Sequence, residues 1–415
     1  MRSIAIAATM ISPPGSMGGN TKIALEFARS WAERGCDVCI LTTPDGERSF
    51  REYGVSGVRF RIVSQTSIPA SGLLSAHARL WGEARRVELG HERFDVAYSA
   101  SDFIPDLLLA QRLRDEGRAS RWIGCLYLFV PHPAFGYEGH YSRTLFGSLD
   151  LRLAAFYPYQ RLVVLPRVIT ADGNMLTNEV DAAEFVRLRY PPGRLHAVYG
   201  VINFDHIGDH EVETRYDAVF VGRLHPQKGI ERLLRIWQRV HRQEPELRLA
   251  IVGVGEPSYE RRLRRQARDL DIEASISWLG FCEGPRKYDV LRSARVFTHT
   301  SVYDNSGMAA AEALACGLPA VMFDLPPLRV TYPRGALKAP IGDEAVFAKH
   351  ILRILADEQL RRSLGAEGRI EGRMWDSRLR EQEATSFIEK VLAMEPLRTQ
   401  QLRETPARSV RREHS

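Results

Sequence analysis

Residues 301–321 read SVYDNSGMAAAEALACGLPAV, and the changes of pattern within them decide the fold. The apolar run 296–301 predicts a strand, a loop then carries Asp304, and 308–316 predicts a helix carrying Glu312. Gly317-Leu318-Pro319 stops that helix before a further strand. Two carboxylates thus straddle a helix N-terminus, where free backbone amides favour an anion and acidic side chains accept hydrogen bonds from hydroxyls. A sugar nucleotide presents both kinds of group and is the leading ligand for such a site.

Outward from this stretch, strand and helix patterns alternate along the chain, which implies parallel sheets covered by helices. In the first half, strands are expected at 3–10, 37–43, 94–99, 121–129, 168–172 and 196–201, with helices at 20–34 and 174–190. The loop before the first helix ends in the pair Gly18-Gly19. A polar, acidic stretch at 203–215 is the expected linker. The alternation then restarts, with strands at 216–222, 247–253 and 276–279 and helices at 229–242, 259–270 and 285–293. Terminal helices are expected at 343–364 and 377–394, and a disordered basic tail at 396–415. Two α/β units of similar size, 1–203 and 204–372, with loops opening at strand C-termini, place a cleft between them.

Composition narrows the function classes. A chain of 415 residues fits two domains of roughly 200 residues each. Apolar residues make up 44% and charged residues 26%, enough to build two cores. Net charge is +6, and the last twenty residues, with five Arg and two Glu, carry half of it. The near balance elsewhere argues against a nucleic-acid binder. Five scattered cysteines (Cys36, Cys39, Cys125, Cys282 and Cys316) suggest reduced thiols and a cytoplasmic protein, and Cys36 and Cys39 lie at a strand entry rather than in a redox loop. No signal peptide is expected, and no window approaches the ~18 apolar residues of a spanning helix.

Between a strand and a helix, Gly222-Arg223-Leu224-His225-Pro226-Gln227-Lys228-Gly229 places two permanent cations where a diphosphate would need them. The plainer alternative is a polar loop with two solvated cations. Glu312 sits in a helix otherwise fit for burial on most faces, so its carboxylate needs a partner, either a ligand hydroxyl or a nearby arginine. His132, after a first-domain strand, is a candidate for orienting the acceptor or touching the donor sugar, against the alternative of a plain loop residue. Gly253-Val254-Gly255 lacks the third glycine of a dinucleotide fingerprint. The aromatics Tyr127, Phe129, Phe135, Tyr137, Tyr141, Phe146, Phe156 and Tyr157, interspersed with Arg143 and Arg152, read either as core or as an acceptor-side surface touching a membrane.

Taken together, these motifs resemble the retaining glycosyltransferases of the GT-B fold whose signature is E-x7-E. GRLHPQKG is similar to that family's G-R-L-x-x-x-K-G, Ile251-Val252-Gly253-Val254-Gly255 to its I-x-G-x-G, and Trp278-Leu279-Gly280-Phe281 to its strand and loop near the nucleobase. The resemblance covers roughly 216–322, with weaker echoes at Gly18-Gly19 and at 199–203. It implies two Rossmann-like domains facing across a deep cleft, with a helix at 373–395 packing back on the first. Arg223 and Lys228 would hold the donor diphosphate and Glu312 the ribose. Asp304 would contact donor-sugar hydroxyls, with the Ser306, Gly307 and Met308 amides nearby. Gly280 and Phe281 would lie by the base, and Gly19 would let the first domain approach the phosphates. Asp304 departs from the family pattern, where Glu is usual, as do Asn305 for Gly and Thr300 for Pro.

The activity implied is sugar transfer from a GDP- or UDP-sugar to a glycan, glycolipid or polysaccharide acceptor, with retention and without metal or pyridoxal phosphate. Catalysis would fall to Asp304, His132, Arg223 and Lys228. The expected setting is the cytoplasm, with peripheral contact at the inner face of a membrane and no nucleic-acid partner. A sugar-nucleotide epimerase and a non-catalytic nucleotide-sugar-binding scaffold are the competing readings.

Overall fold

Ile4, Ala5, Ile6 and Ala7 expose none of their surface, a run without polar alternation that belongs to a strand covered on both faces. The same signature recurs in Leu249–Val252 and Ala320–Phe323, buried at every position. The computed structural model describes residues 1–12, 17–67, 73–141 and 151–397.

The first sheet contains β1 (Ser3–Ala7), β2 (Asp37–Thr42), β3 (Arg59–Ile62), β4 (Phe94–Ser99), β5 (Ala119–Leu126), β6 (Gly173–Leu176) and β7 (Leu195–Ala197). The second contains β8 (Tyr216–Val221), β9 (Leu249–Val252), β10 (Ile276–Gly280), β11 (Ala294–His299), β12 (Ala320–Phe323) and β13 (Ala336–Ala339). Strand order is β3-β2-β1-β4-β5-β6-β7 in one and β10-β9-β8-β11-β12-β13 in the other, with every pairing parallel. Both sheets therefore reverse direction between their first and fourth strands. Ligands of doubly wound sheets bind at that switch point. In the second sheet it lies between β8 and β11, whose following loops are 222–229 and 300–307.

The chain crosses between the domains at two neighbouring places. Ile202 N donates to Trp375 O at 2.7 Å, and Ser377 N donates to Ile202 O at 2.8 Å, so the crossings form one hydrogen-bonded hinge. Beyond it the helix Ser377–Ala393 lies on the first domain, where Trp31 Nε1 donates to Thr385 Oγ1 at 2.9 Å and Arg34 pairs with Glu381 at 2.7 Å. Leu397 N donates to Asp172 at 3.0 Å, so the chain is bonded to the first domain that far. From residue 398 onward, the expected tail falls outside the described residues.

Three expectations are corrected. The run 168–172 is not a strand: Val168 ends the helix Leu165–Val168 and a turn follows. The β-branched Val-Ile-Thr there imitates a strand, while β6 occupies 173–176, where a helix was expected. That helix begins only at Glu179, because Asn178 caps it by accepting from Asp181 N. The single helix expected at 343–364 is two, Glu344–Ala356 and Glu358–Arg373, separated by Asp357, which accepts from Leu360 N at 2.8 Å. Strands β3 and β13, unforeseen in the sequence, are the short edges of their sheets, where polar interruption is normal.

Candidate functional site

The loops after β8 and β11 are tied together by hydrogen bonds to backbone carbonyls, from one amide and two side chains. Val302 N donates to Gln227 O at 3.1 Å, Gln227 Nε2 to Tyr303 O at 2.9 Å, and Thr300 Oγ1 to Lys228 O at 3.0 Å. Gly229 permits this contact: its φ is +66°, and a Cβ would stand 2.0 Å from Thr300 O. At Gly253 (φ +143°) a Cβ would stand 1.9 Å from Gly222 O. The glycines are there because backbone meets backbone.

This packing delivers Lys228 Nζ to 2.6 Å from Asp304 Oδ2. His299 Nε2, from the end of β11, lies 3.3 Å from the same oxygen. Asp304 Oδ1 accepts from the amides of Asn305 at 3.0 Å and Gly307 at 3.2 Å. Burial alone raises the Asp304 carboxyl, but Lys228 and His299 outweigh it and hold it well below the usual carboxylate range. The short Asp side chain therefore folds back on its own loop, and both oxygens are engaged by protein rather than left for sugar hydroxyls. Of the three amides expected to be available, Gly307's is taken. Tyr332 Oη fixes the loop from behind, donating to Ser306 O at 2.7 Å and Gly307 O at 3.0 Å.

Glu312 lies one turn into the helix Met308–Ala315 and exposes only 4% of its surface. Among the described residues its protein partners are two lysines rather than an arginine: Lys287 at 2.9 Å, itself 2.6 Å from Glu283, and Lys22 of the first domain. Burial raises this carboxyl, and Lys22 and Lys287 more than reverse the effect, leaving it below the ordinary glutamate value.

The first domain meets this site directly. Gly19 opens the helix Gly19–Glu33, and a Cβ on it would stand 3.7 Å from Met308 Cε, so two helix N-termini converge there. Asn305 Nδ2 donates to Asp181 at 2.7 Å and to Tyr127 O at 3.0 Å, and Asn178 Nδ2 donates to Asn305 O at 3.2 Å. Burial pushes the Asp181 carboxyl up to about 7. Tyr141 stacks on Tyr303 with centroids 5.5 Å apart and donates to Asp304 O at 3.2 Å, and Glu138 pairs with Arg232 at 2.9 Å. Asn305, where the family pattern has Gly, is thus a contact between domains.

The structure brings Gly19, Lys228, Asp304, Ser306, Gly307, Met308 and Glu312 together. Arg223 follows β8 with an exposed side chain, and no described residue bonds its guanidinium. Gly280 ends β10 and the half-buried Phe281 follows it, and Gly280 O accepts from Gly253 N at 2.8 Å. His132 is exposed, accepts from Ala134 N at 3.2 Å, and packs on Tyr157 and Phe135 with centroids at 4.9 and 5.5 Å. It caps a turn of the first domain, whereas His140 reaches Tyr303, with centroids 4.8 Å apart. Of the aromatics in this region, Phe129 is a core residue, and Tyr137 and Tyr141 face Tyr303 at the domain contact. Phe146 and Arg143 lie outside the described residues. All five cysteines are free. Among the described residues, no helix is long and apolar enough to cross a membrane.

Lys22, Lys287 and His299 went unnoticed in the sequence. The one local signal was Lys22 with Glu26 and Arg29, a polar stripe at helical spacing beside buried Ile23, Ala24 and Phe27.

Residues 203–371 match the family described as glycosyl transferases group 1, and residues 18–200 match the glycosyl transferase 4-like domain. An uncharacterized glycosyltransferase of Haemophilus influenzae is 36% identical over 321 residues, covering 75% of this chain and 79% of that one. A D-inositol 3-phosphate glycosyltransferase of Rhodococcus erythropolis is 24% identical over 375 residues, covering 80% and 78%. The crystal structure of Anabaena Alr3699/HepE with UDP and glucose superposes with a TM-score of 0.67 at 14% identity, covering 94% and 100% of the two chains. Sucrose-phosphate synthase from Thermosynechococcus elongatus gives 0.71 at 18%, covering 95% and 100%. These likenesses place the two facing domains in the GT-B fold.

Proposed function

The chain belongs to the group 1 glycosyltransferases, and we propose that it transfers a sugar, with retention and without a divalent metal, from a UDP- or GDP-sugar to a glycan, glycolipid or polysaccharide acceptor. One observation carries this reading: at the switch point of the second sheet, Lys228 from the loop after β8 is held 2.6 Å from Asp304, at the start of the helix that carries Glu312. In the reaction, the bond from the anomeric carbon to the diphosphate oxygen breaks, and a bond to an acceptor oxygen forms as that oxygen loses its proton. Negative charge grows on the departing diphosphate. Lys228, held by Asp304, and the amides at the helix start are preorganised to stabilise it, and Arg223 would add binding to the diphosphate. UDP in the HepE complex supports the donor class, and retention rests on the motif resemblance.

Asp304 takes a supporting part in this reading. It orients Lys228 and shapes the loop, and the sugar hydroxyls are left to backbone amides and ribose-side groups.

Thermal unfolding with UDP, GDP, ADP and dTDP tests the reading. One nucleoside family is expected to raise Tm, in EDTA as in its absence, by about 2.7 kcal/mol of stabilisation at a hundredfold excess over Kd. Proton NMR of the product should then give the donor's own anomeric configuration. No shift with any nucleotide overturns the donor site, a shift lost in EDTA overturns metal independence, and an inverted product overturns retention. Nucleotide binding without turnover on any acceptor would favour the scaffold.

A further inference from the structure

Glu312 is clamped from both domains at a single oxygen. Lys287 Nζ reaches Oε1 at 2.9 Å from the helix Pro285–Arg292, and Lys22 Nζ reaches the same Oε1 from the first-domain helix Gly19–Glu33. Among the described residues, none donates to Oε2. An ionised carboxylate accepts about four hydrogen bonds, so the clamp leaves half of its capacity unused. Lys22 exposes 2% of its surface, a costly position for an ammonium unless the carboxylate is in place. Its position is set by packing, because Gly19, one turn before it, abuts Met308 at the start of the Glu312 helix.

We propose that Lys22 is a positioning residue for the donor nucleotide. With the domains closed, it and Lys287 pin Oε1 of Glu312 and leave Oε2 to accept a ribose hydroxyl. This rests on the reading of Glu312 as the ribose carboxylate. An open cleft has one clamp instead of two, so recognition of the ribose and closure of the domains are coupled.

Calorimetric titration of the full chain with UDP and GDP, and with their 2′-deoxy and 3′-deoxy forms, tests the coupling. Lys22→Met is expected to bind the preferred ribonucleotide about tenfold more weakly. It should bind one of the two deoxy forms as well as the wild type does, since the hydroxyl that Glu312 would accept is already missing. Lys22→Arg should recover part of the loss, and unfolding curves of both variants before titration establish that they are folded. Inorganic pyrophosphate should bind Lys22→Met and wild type alike. Equal weakening for ribo and both deoxy ligands overturns the proposal, as does unchanged affinity. Tighter binding by Lys22→Met also overturns it, by making Lys22 a competitor of the ribose. If the wild type binds no nucleoside diphosphate, the donor-site reading itself falls and this inference with it; binding without the hydroxyl coupling removes the inference alone.

Discussion

Lys228→Met is expected to lower kcat by roughly two to three orders of magnitude, the scale on which a preorganised charge at a leaving group acts. The variant should remain folded. Lys228 is partly exposed, His299 stays 3.3 Å from the Asp304 carboxylate, and the loop keeps its bonds from Tyr332 and its contact through Asn305. What is lost is the cation that Asp304 holds at the loop between β8 and the helix Ile230–His241. Charge on the diphosphate is greater in the transition state than in the bound donor, so kcat should fall further than donor KM rises. Arg223→Ala, at an exposed side chain with no described partner, should instead act mainly on donor affinity. Steady-state kinetics on both variants separate the two. A Lys228→Met enzyme that keeps its kcat and loses only affinity would reduce Lys228 to an anchoring group.

The motifs on which that prediction stands were legible because their signals are local. A strand that runs into a glycine-rich loop and then a helix can be read from a dozen residues, as at 216–230 and 296–312. Their adjacency followed only once strand order placed β8 beside β11. The partners of the charges were not legible. Lys22 and Glu312 are 290 positions apart, and nothing around either residue announces the other. Asn305 looked like a departure from pattern and is a bond between domains. His132, singled out by its place after a strand, turned out to hold a turn, while Tyr141 and Glu138 a few residues on carry the contact with the second domain. Local secondary structure failed where propensity and capping disagree. Val168-Ile169-Thr170 has strand-forming side chains in a helix end, and Asp357 interrupts a continuous helical pattern by capping the next helix.

Glu312→Ala should destabilise the protein by about 3–5 kcal/mol, because it strands a buried cation. Lys287 keeps Glu283 at 2.6 Å, but Lys22, 2% exposed, loses the carboxylate it bonds. A loss of transfer in this variant therefore mixes chemistry with folding. The informative comparison is the double variant Lys22→Met, Glu312→Gln, which removes both charges. Urea unfolding should find it substantially more stable than Glu312→Ala, with a coupling energy of about 1–3 kcal/mol in the corresponding cycle. The pH dependence has a definite sign. Burial works against ionising Glu312, yet Lys22 and Lys287 prevail and its folded pKa lies below the unfolded one. Its stabilisation is thus full above the unfolded value and lost as pH falls through the folded one, so wild type weakens below about pH 4.5. Burial likewise lowers Lys22, but Glu312 prevails and raises it, so that contribution is full below the unfolded lysine value and lost as pH rises through the folded one, above about pH 10. Across the neutral range the clamp is constant. An acid limb of equal steepness in wild type and in the double variant would mean that the lysines and Glu312 do not hold the domains together in solution.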